Sequence, residues 1–266
     1  LGGRQLVSNT APAAIALAIG VVAWETAARI WDQPFFPPFT AVVERLGELT
    51  AEGKILTSLL GSLTNLAIGF TVSAVVGVGL GMLMGAYRKV EMALDIYVYA
   101  MLTAPSLVFA PIFFAIFGLS RASILGVIIV YSMFIIIINT VAAIRGVSPA
   151  LIEMGRSYCA TERQLFLKII LPAALPLIFA GLRLGMGRAV KGTINGEMFI
   201  SAVGLGAVVR GAGRRFDAAA VLAVLLVIII VALVAIKLVQ LVDTRLTGWL
   251  PSTARQGRPV RAGRPG

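Results

Sequence analysis

Residues 153–172 read EMGRSYCATERQLFLKIILP, and this stretch decides the reading of the chain. It is a mixed-charge block between two long apolar runs, residues 123–144 and 173–200. Charged residues make up 13% of the 266-residue chain, hydrophobic residues 59%, and mean hydropathy is +0.95. A soluble domain of this size would need far more polar surface. Crossing a hydrocarbon core of about 30 Å takes roughly 20 helical residues, and several runs here are that long. Residues 221–236, VLAVLLVIIIVALVAI, are continuously apolar, whereas a membrane β-strand alternates apolar and polar over about ten residues. The fold class is therefore all-α: a polytopic membrane protein of about six transmembrane helices, with a cytoplasmic helical block between the fourth and fifth spans.

Working outward, the spans fall at about 11–31, 58–87, 92–117, 123–144, 173–200 and 218–242. The chain opens with Leu, and its first apolar run lacks a small-residue cleavage pattern, so it is read as a retained span. Residues 33–40, QPFFPPFT, form a linker whose prolines forbid a continuous helix. Residues 41–54 are amphipathic and expected at an interface or outside the membrane. The third span is expected to break near Pro105 and Pro111. Residues 1–250 form a single transmembrane domain with the charged block at about 146–172, and 251–266 form a basic tail expected to be disordered.

The net charge of +11 would suggest nucleic acid in a soluble protein. Here it is better spent in loops, where it sets topology, and in the tail beside anionic lipid; no nucleic-acid partner is expected. One side holds Arg4, Arg88, Lys89, Arg145, Arg156, Arg163, Lys168, Arg245 and the tail; the other holds Arg45, Lys54, Arg121, Arg210, Arg214 and Arg215. The richer side is expected to be cytoplasmic, with both termini there. Arg210, Arg214 and Arg215 are expected to flank a short re-entrant segment rather than an open loop. One cysteine, Cys159, and no histidine exclude a disulfide framework and leave no metal site or His-based catalysis to expect; no catalytic residues are assigned.

Small residues recur every four positions at Gly77, Gly81 and Gly85, and at Gly181 with Gly185 and Gly192 with Gly196. Such spacing lets helix backbones approach closely where lipid gives no hydrophobic drive to associate. Within the charged block, Ser148-Pro149 reads as an N-cap and first helical position. Leu151, Met154, Gly155 and Tyr158 then share one face. Thr161 with Gln164 forms a capping box for a second helix, whose apolar face is Leu165, Phe166 and Ile169. Leu171-Pro172 is expected to end that helix in an elbow. A short surface helix held at both ends by spans is a stiff lever.

These residues resemble the cytoplasmic motif of permease subunits of bacterial ATP-binding-cassette importers: Glu-Ala-Ala, three residues, Gly, nine residues, Ile, one residue, Leu-Pro. Glu153, Ile169, Leu171 and Pro172 keep the spacing; Met154 and Gly155 stand at the two alanines and Cys159 at the glycine. The order of spans extends the resemblance over nearly the whole chain. APSLVFAP from Ala104, FGLS from Phe117, GLRLGMGRA from Gly181, GEMF from Gly196 and GLG from Gly204 resemble the sulfonate, taurine, nitrate and thiamine-precursor branch. The resemblance implies a coupling helix at about 149–158, with Glu153, Arg156, Cys159 and Ala160 as ATPase contacts and Ile169, Leu171 and Pro172 completing the motif. It implies two cytoplasmic ATPase subunits that bind ATP and Mg, a second permease copy and an extracytoplasmic solute-binding protein. It also implies a multi-pass location in the bacterial cytoplasmic membrane, among membrane lipid. No cofactor is expected in this chain. Cys159 either accepts a left-handed backbone or turns with negative φ; a small packed residue is the preferred reading of its side chain over a redox role.

The fifth span carries Arg183, Arg188, Lys191, Asn195 and Glu197. Ionisable groups inside a span usually face water or the bundle interior. At about 100° per residue, Arg188, Lys191 and Asn195 share a face, and Glu197 points about 120° from Lys191. Arg188, Lys191, Asn195 and Glu197 are the pathway candidates, and the face of the first three suits a small anion such as a sulfonate or nitrate; the competing reading has Arg183 and Arg188 snorkelling or paired and Glu197 structural. Asn139, Asp95 and Glu25 are weaker candidates. A thiamine-precursor or other neutral or cationic solute is the alternative. A secondary transporter would show inverted repeats and ionisable groups across several spans. A membrane enzyme would need a nucleophile with a base or a metal cluster. The chain has no Gly-Lys-Ser/Thr phosphate loop, so an ATPase must be a separate subunit.

Overall fold

A computed structural model describes residues 3–200 and 204–247; the expected basic tail lies outside the described residues. All regular elements among them are helical. They are α1 (Gly3–Trp31), α2 (Phe39–Ala51), α3 (Lys54–Ala86), α4 (Arg88–Thr103), α5 (Phe109–Phe117), α6 (Arg121–Arg145), α7 (Pro149–Ser157), α8 (Glu162–Leu165), α9 (Leu171–Ile200), α10 (Leu205–Arg214) and α11 (Ala218–Thr247). Five helical stretches are long and apolar enough to cross a membrane, and the bent α4–α5 pair brings the number to 6 if counted as one span.

The bundle is built around α6. Along one side runs α3, and a Cβ on its glycines would collide with α6: 2.6 Å from Ile128 Cγ2 at Gly69, 3.0 Å from Ile136 Cγ2 at Gly77, 2.5 Å from Thr140 Cβ at Gly81 and 2.7 Å from Ile144 Cβ at Gly85. Ser73 continues the same stripe; it accepts from the Ser132 hydroxyl at 2.8 Å and donates to Gly69 O at 2.7 Å. Along the other side runs α9, where Gly181 meets Asn139 Cβ at 2.5 Å, Gly185 meets Ile136 Cγ1 at 2.5 Å and Gly192 meets Ile128 Cα at 3.0 Å. The glycine faces expected from sequence are these two seams, and Ile128 and Ile136 are wedged between both.

The third span breaks at Pro105, where α4 and the segment carrying α5 meet at 90°. It does not break at Pro111, which lies in the first turn of α5. Amides there have no intrahelical partner, so the missing N–H is tolerated. Phe113 brings α5 back onto α6 at Gly126, where a Cβ would lie 2.8 Å from the ring. A second expectation also fails. Pro172 ends no helix: residues Glu162–Phe199 run as one helical stretch of 38 residues. A π-turn at Phe166–Ile170 absorbs the proline, and the Leu171 amide reaches five residues back to Phe166 O. The widened turn relieves the ring's clash with the preceding turn.

At the opposite end from α7, α2 is the expected amphipathic segment and buries Val42 and Leu49. Trp24 of α1 donates to Pro37 O at 3.1 Å, and Glu25 accepts from the Thr40 amide at 3.1 Å. Otherwise α1 stands apart, and its apolar length is almost wholly exposed. The arginines from Arg210 onward lie on or beside α10, a ten-residue helix rather than an open loop.

The α3–α6 seam makes a direct prediction. A Cβ on Gly81 would lie 2.5 Å from Thr140 Cβ and 2.9 Å from Ile137 O, while Gly79 on the same helix meets nothing within 4 Å. Gly81→Val should therefore cost about 1–3 kcal/mol of overpacking and lower the unfolding temperature of the purified protein, with Gly79→Val close to the parent. Equal shifts would contradict the seam.

Candidate functional site

α7 sits across the base of α6 and α9. Pro149 occupies its first turn, and Ser148 stands at the cap position without a side-chain cap bond. Gly155 is the crossing point: a Cβ there would lie 2.8 Å from Leu165 Cδ1 and also overlap Ile169 Cδ1. Ile152 joins a core cluster formed by Ala143, Ile144, Val147, Ala174 and Ile178. The face expected from sequence therefore divides. Gly155 turns inward, while Leu151, Met154 and Tyr158 are exposed, Tyr158 to 83%. Glu153 and Arg156 are exposed beside them.

The turn after α7 settles the question at Cys159. Its φ is +56°, so the residue takes the left-handed conformation. The Cys159 amide donates to Arg156 O at 2.8 Å, and the Ala160 amide to Gly155 O at 3.2 Å. That pair of bonds is a Schellman cap, whose left-handed position is usually glycine. Cys159 is free and exposed, not packed as expected. The next helix starts with the expected capping box: the Thr161 amide donates to Gln164 Oε1 at 3.0 Å, and the Gln164 amide to Thr161 Oγ1 at 3.3 Å. Arg156 and Glu162 lie 3.7 Å apart, both exposed, a pairing worth little in water. Of the motif residues, Glu153, Arg156 and Cys159 form surface, whereas Ala160, Ile169, Leu171 and Pro172 are half-buried supports. Beside the block, Glu91 of α4 pairs with Arg145 at the foot of α6. A cleft of about 890 Å³ opens between this foot, the end of α3 and the π-turn, lined by Met82, Tyr87, Ile144, Arg145, Ile152 and Phe166 among others.

The polar residues of α9 fall into two groups. Arg188 and Lys191 are exposed, and Asn195 is half-buried with its Nδ2 donating to the Tyr131 hydroxyl at 2.8 Å. Glu197 lies on another face and is 0% exposed. Its carboxylate accepts from Ser62 Oγ at 2.7 Å, Asn65 Nδ2 at 3.1 Å and the Gly206 amide at 3.2 Å. Arg121 Nε in turn donates to Asn65 Oδ1 at 2.9 Å. Arg183 pairs with Asp243 of α11, and Asn139 Nδ2 donates to Ile135 O at 2.7 Å. The sequence reading missed Ser62 and Asn65, although polar residues three apart in a span share a helix face. At the far corner, Arg45 bonds Asp217 Oδ2 at 2.8 Å, and Asp217 Oδ1 accepts from the Ala220 amide at 2.9 Å. Burial alone would raise the Asp217 carboxyl, but the Ala220 amide and the Arg45 guanidinium outweigh it and hold it below the ordinary carboxylate range.

The family described as binding-protein-dependent transport system inner membrane component matches residues 77–248, which include α7 and α9. The chain is 33% identical over 204 residues to the formylaminopyrimidine transport permease protein ThiX of Halalkalibacterium halodurans, covering 76% of this chain and 81% of that protein. It is 35% identical over 148 residues to the nitrate import permease protein NrtB of Synechocystis sp., covering 56% of this chain and 54% of that protein. Its fold is similar, with a TM-score of 0.60 at 20% identity, to a chain in an inward-facing structure of the MetNI methionine ABC transporter, over 71% of this chain and 93% of that one.

The strained turn gives a local prediction. Cys159→Gly removes a left-handed penalty of about 1 kcal/mol and should slow amide exchange at the end of α7 roughly fivefold. Cys159→Val should speed it. Identical exchange in both variants would show that the turn carries no such strain.

Proposed function

The chain belongs to the binding-protein-dependent inner membrane transport components, the permeases of ATP-binding-cassette importers, and we propose that α7 is its docking element for separate ATPase subunits and that Arg188, Lys191 and Asn195 line its solute pathway. The observation that carries this reading is α7 itself. It is anchored at Gly155 and Ile152, yet turns Leu151, Met154 and Tyr158 outward beside Glu153 and Arg156. An apolar centre with a charged rim is the composition of a protein interface. With no phosphate-binding loop in this chain, ATP and Mg are held by the partner, in two copies. Closure of the ATPase pair moves α7, and the stretch Glu162–Phe199 carries that movement across the membrane.

Exposure supports a second permease copy. Arg188 and Lys191 project from the interior of a spanning helix, where facing lipid costs several kcal/mol per charge. A water-filled pathway between two copies removes that cost. It also gives the apolar surface of α1 a protein neighbour. The extracytoplasmic binding protein docks at the end carrying α2 and α10. The described helices form one permease domain in a bacterial inner membrane, with the end carrying α7 facing the cytoplasm.

The cationic face favours a small anion such as nitrate or a sulfonate. A formylaminopyrimidine-type solute is the second reading, supported by the longer match to a permease named for it. Uptake into vesicles holding the assembled complex separates them. Arg188→Ala and Lys191→Ala should each lower anion uptake about tenfold or more, the ~1.5–3 kcal/mol of a charged hydrogen bond, without loss of assembly. Parent-level uptake by both variants removes the pathway assignment.

A further inference from the structure

α9 and α10 meet end to end, and each supplies a cap to the other. The last carbonyls of a helix have no intrahelical partner. At the end of α9 two of them, Met198 O and Phe199 O, accept from Arg210 Nη1 of α10 at 2.8 and 2.9 Å. The first amides of a helix are orphaned in the same way. At the start of α10 the Gly206 amide donates to Glu197 Oε2 of α9 at 3.2 Å. The Leu205 amide donates to Ser62 Oγ at 2.9 Å, and that hydroxyl donates to the same carboxylate oxygen at 2.7 Å. Both charges have the favourable sign: a carboxylate at a helix N-terminus and a guanidinium at a helix C-terminus.

The fit around the carboxylate is close. A Cβ on Gly204 would overlap the Glu197 carboxyl, and Gly204 also has a φ of +98°. A Cβ on Gly206 would lie 2.5 Å from Ile194 O and 2.7 Å from Glu197 Cβ. α10 is thus seated on α9 by bonds that do not involve residues 201–203. At its other end α9 runs through the π-turn into the motif block, a helical stretch of 38 residues, about 57 Å at 1.5 Å per residue. Beyond α10, Asp217 is held by Arg45 of α2 and caps α11 through the Ala220 amide.

We propose that the double cap between Glu197 and Arg210 is the joint that passes movement of the α7–α9 block to the extracytoplasmic face. The proposal rests on the importer reading. Glu197 and Arg210 are positioning residues: they make α10 move as part of α9, and the Glu197 carboxylate is spent on the joint rather than on solute.

The test uses the complete complex, with ATPase subunits and binding protein, in vesicles where ATP hydrolysis and uptake are read together. Arg210→Met removes both carbonyl bonds from a half-buried side chain. It should leave hydrolysis within about twofold of the parent while solute taken up per ATP falls roughly tenfold, a typical coupling free energy. Arg210→Lys, which can still donate to the carbonyls, should restore most of that ratio. A merely structural role would lower hydrolysis and uptake in parallel, and that result, or an unchanged ratio in Arg210→Met, overturns the joint. If Arg210→Met does not assemble, Glu197→Gln decides: it keeps the shape and one acceptor oxygen, and a severalfold lower ratio is expected, a parent ratio fatal. A parent complex that hydrolyses ATP without uptake would overturn the importer reading and the joint with it, whereas a coupled parent with an unchanged variant overturns the joint alone.

Discussion

Ile128 and Ile136 of α6, each trapped between a glycine of α3 and a glycine of α9, are the contact on which the rest of this molecule depends. In lipid there is no hydrophobic drive between helices, so association rests on close packing and a few polar bonds. Glycine permits that approach on both sides of α6: Gly69 and Gly192 against Ile128, Gly77 and Gly185 against Ile136. Side chains stiff at χ1 fill the space with little loss of rotamer freedom. Three spans are thereby locked into one unit. The α7 block leaves one of them and enters another, so it is held at both ends by the tightest part of the fold.

That arrangement is what the proposed lever role of so short a helix requires. α7 is anchored through Gly155 and Ile152 and capped by a Schellman turn at Cys159. The helix that follows reaches the opposite end without a break: the π-turn takes up Pro172, and Pro176 lies within the helix beyond it. A push on α7 therefore reaches α6 directly and α9 along its axis. The polar groups of α9 divide by burial into an exposed cationic face and an internal carboxylate joint. The same helix presents Arg188 and Lys191 on one side and seats the outer helix α10 on the other.

Much of this was legible in the sequence where the physics is local. Apolar length marked the spans, the four-residue glycine spacing marked the seams, and Thr161 with Gln164 marked a capping box that forms as expected. The left-handed turn was legible as a choice at Cys159, and the structure takes the strained branch. What failed depended on context. Pro111 and Pro172 read as breakers, but one lies in a first turn and the other follows a widened turn, and neither circumstance follows from the residue type. The face of Leu151, Met154 and Tyr158 read as one with Gly155, because helical periodicity does not say which neighbour lies against it. Glu197 stood out as charge in a span, yet its partners come from two other helices, Ser62 and Asn65 from α3 and Gly206 from α10. Only the fold brings them together.

The central claim is that α7 docks a separate ATPase, and the chain carries its own probe for this in Cys159, its single cysteine, free and exposed at the end of that helix. The measurement is thiol-specific cross-linking from Cys159 in native membranes, followed by identification of the captured chain. The account predicts a nucleotide-binding subunit with a phosphate-binding loop, captured with a yield that changes when ATP is added. An intact, ATP-hydrolysing complex in which Cys159 stays freely reactive and captures no such subunit would contradict it.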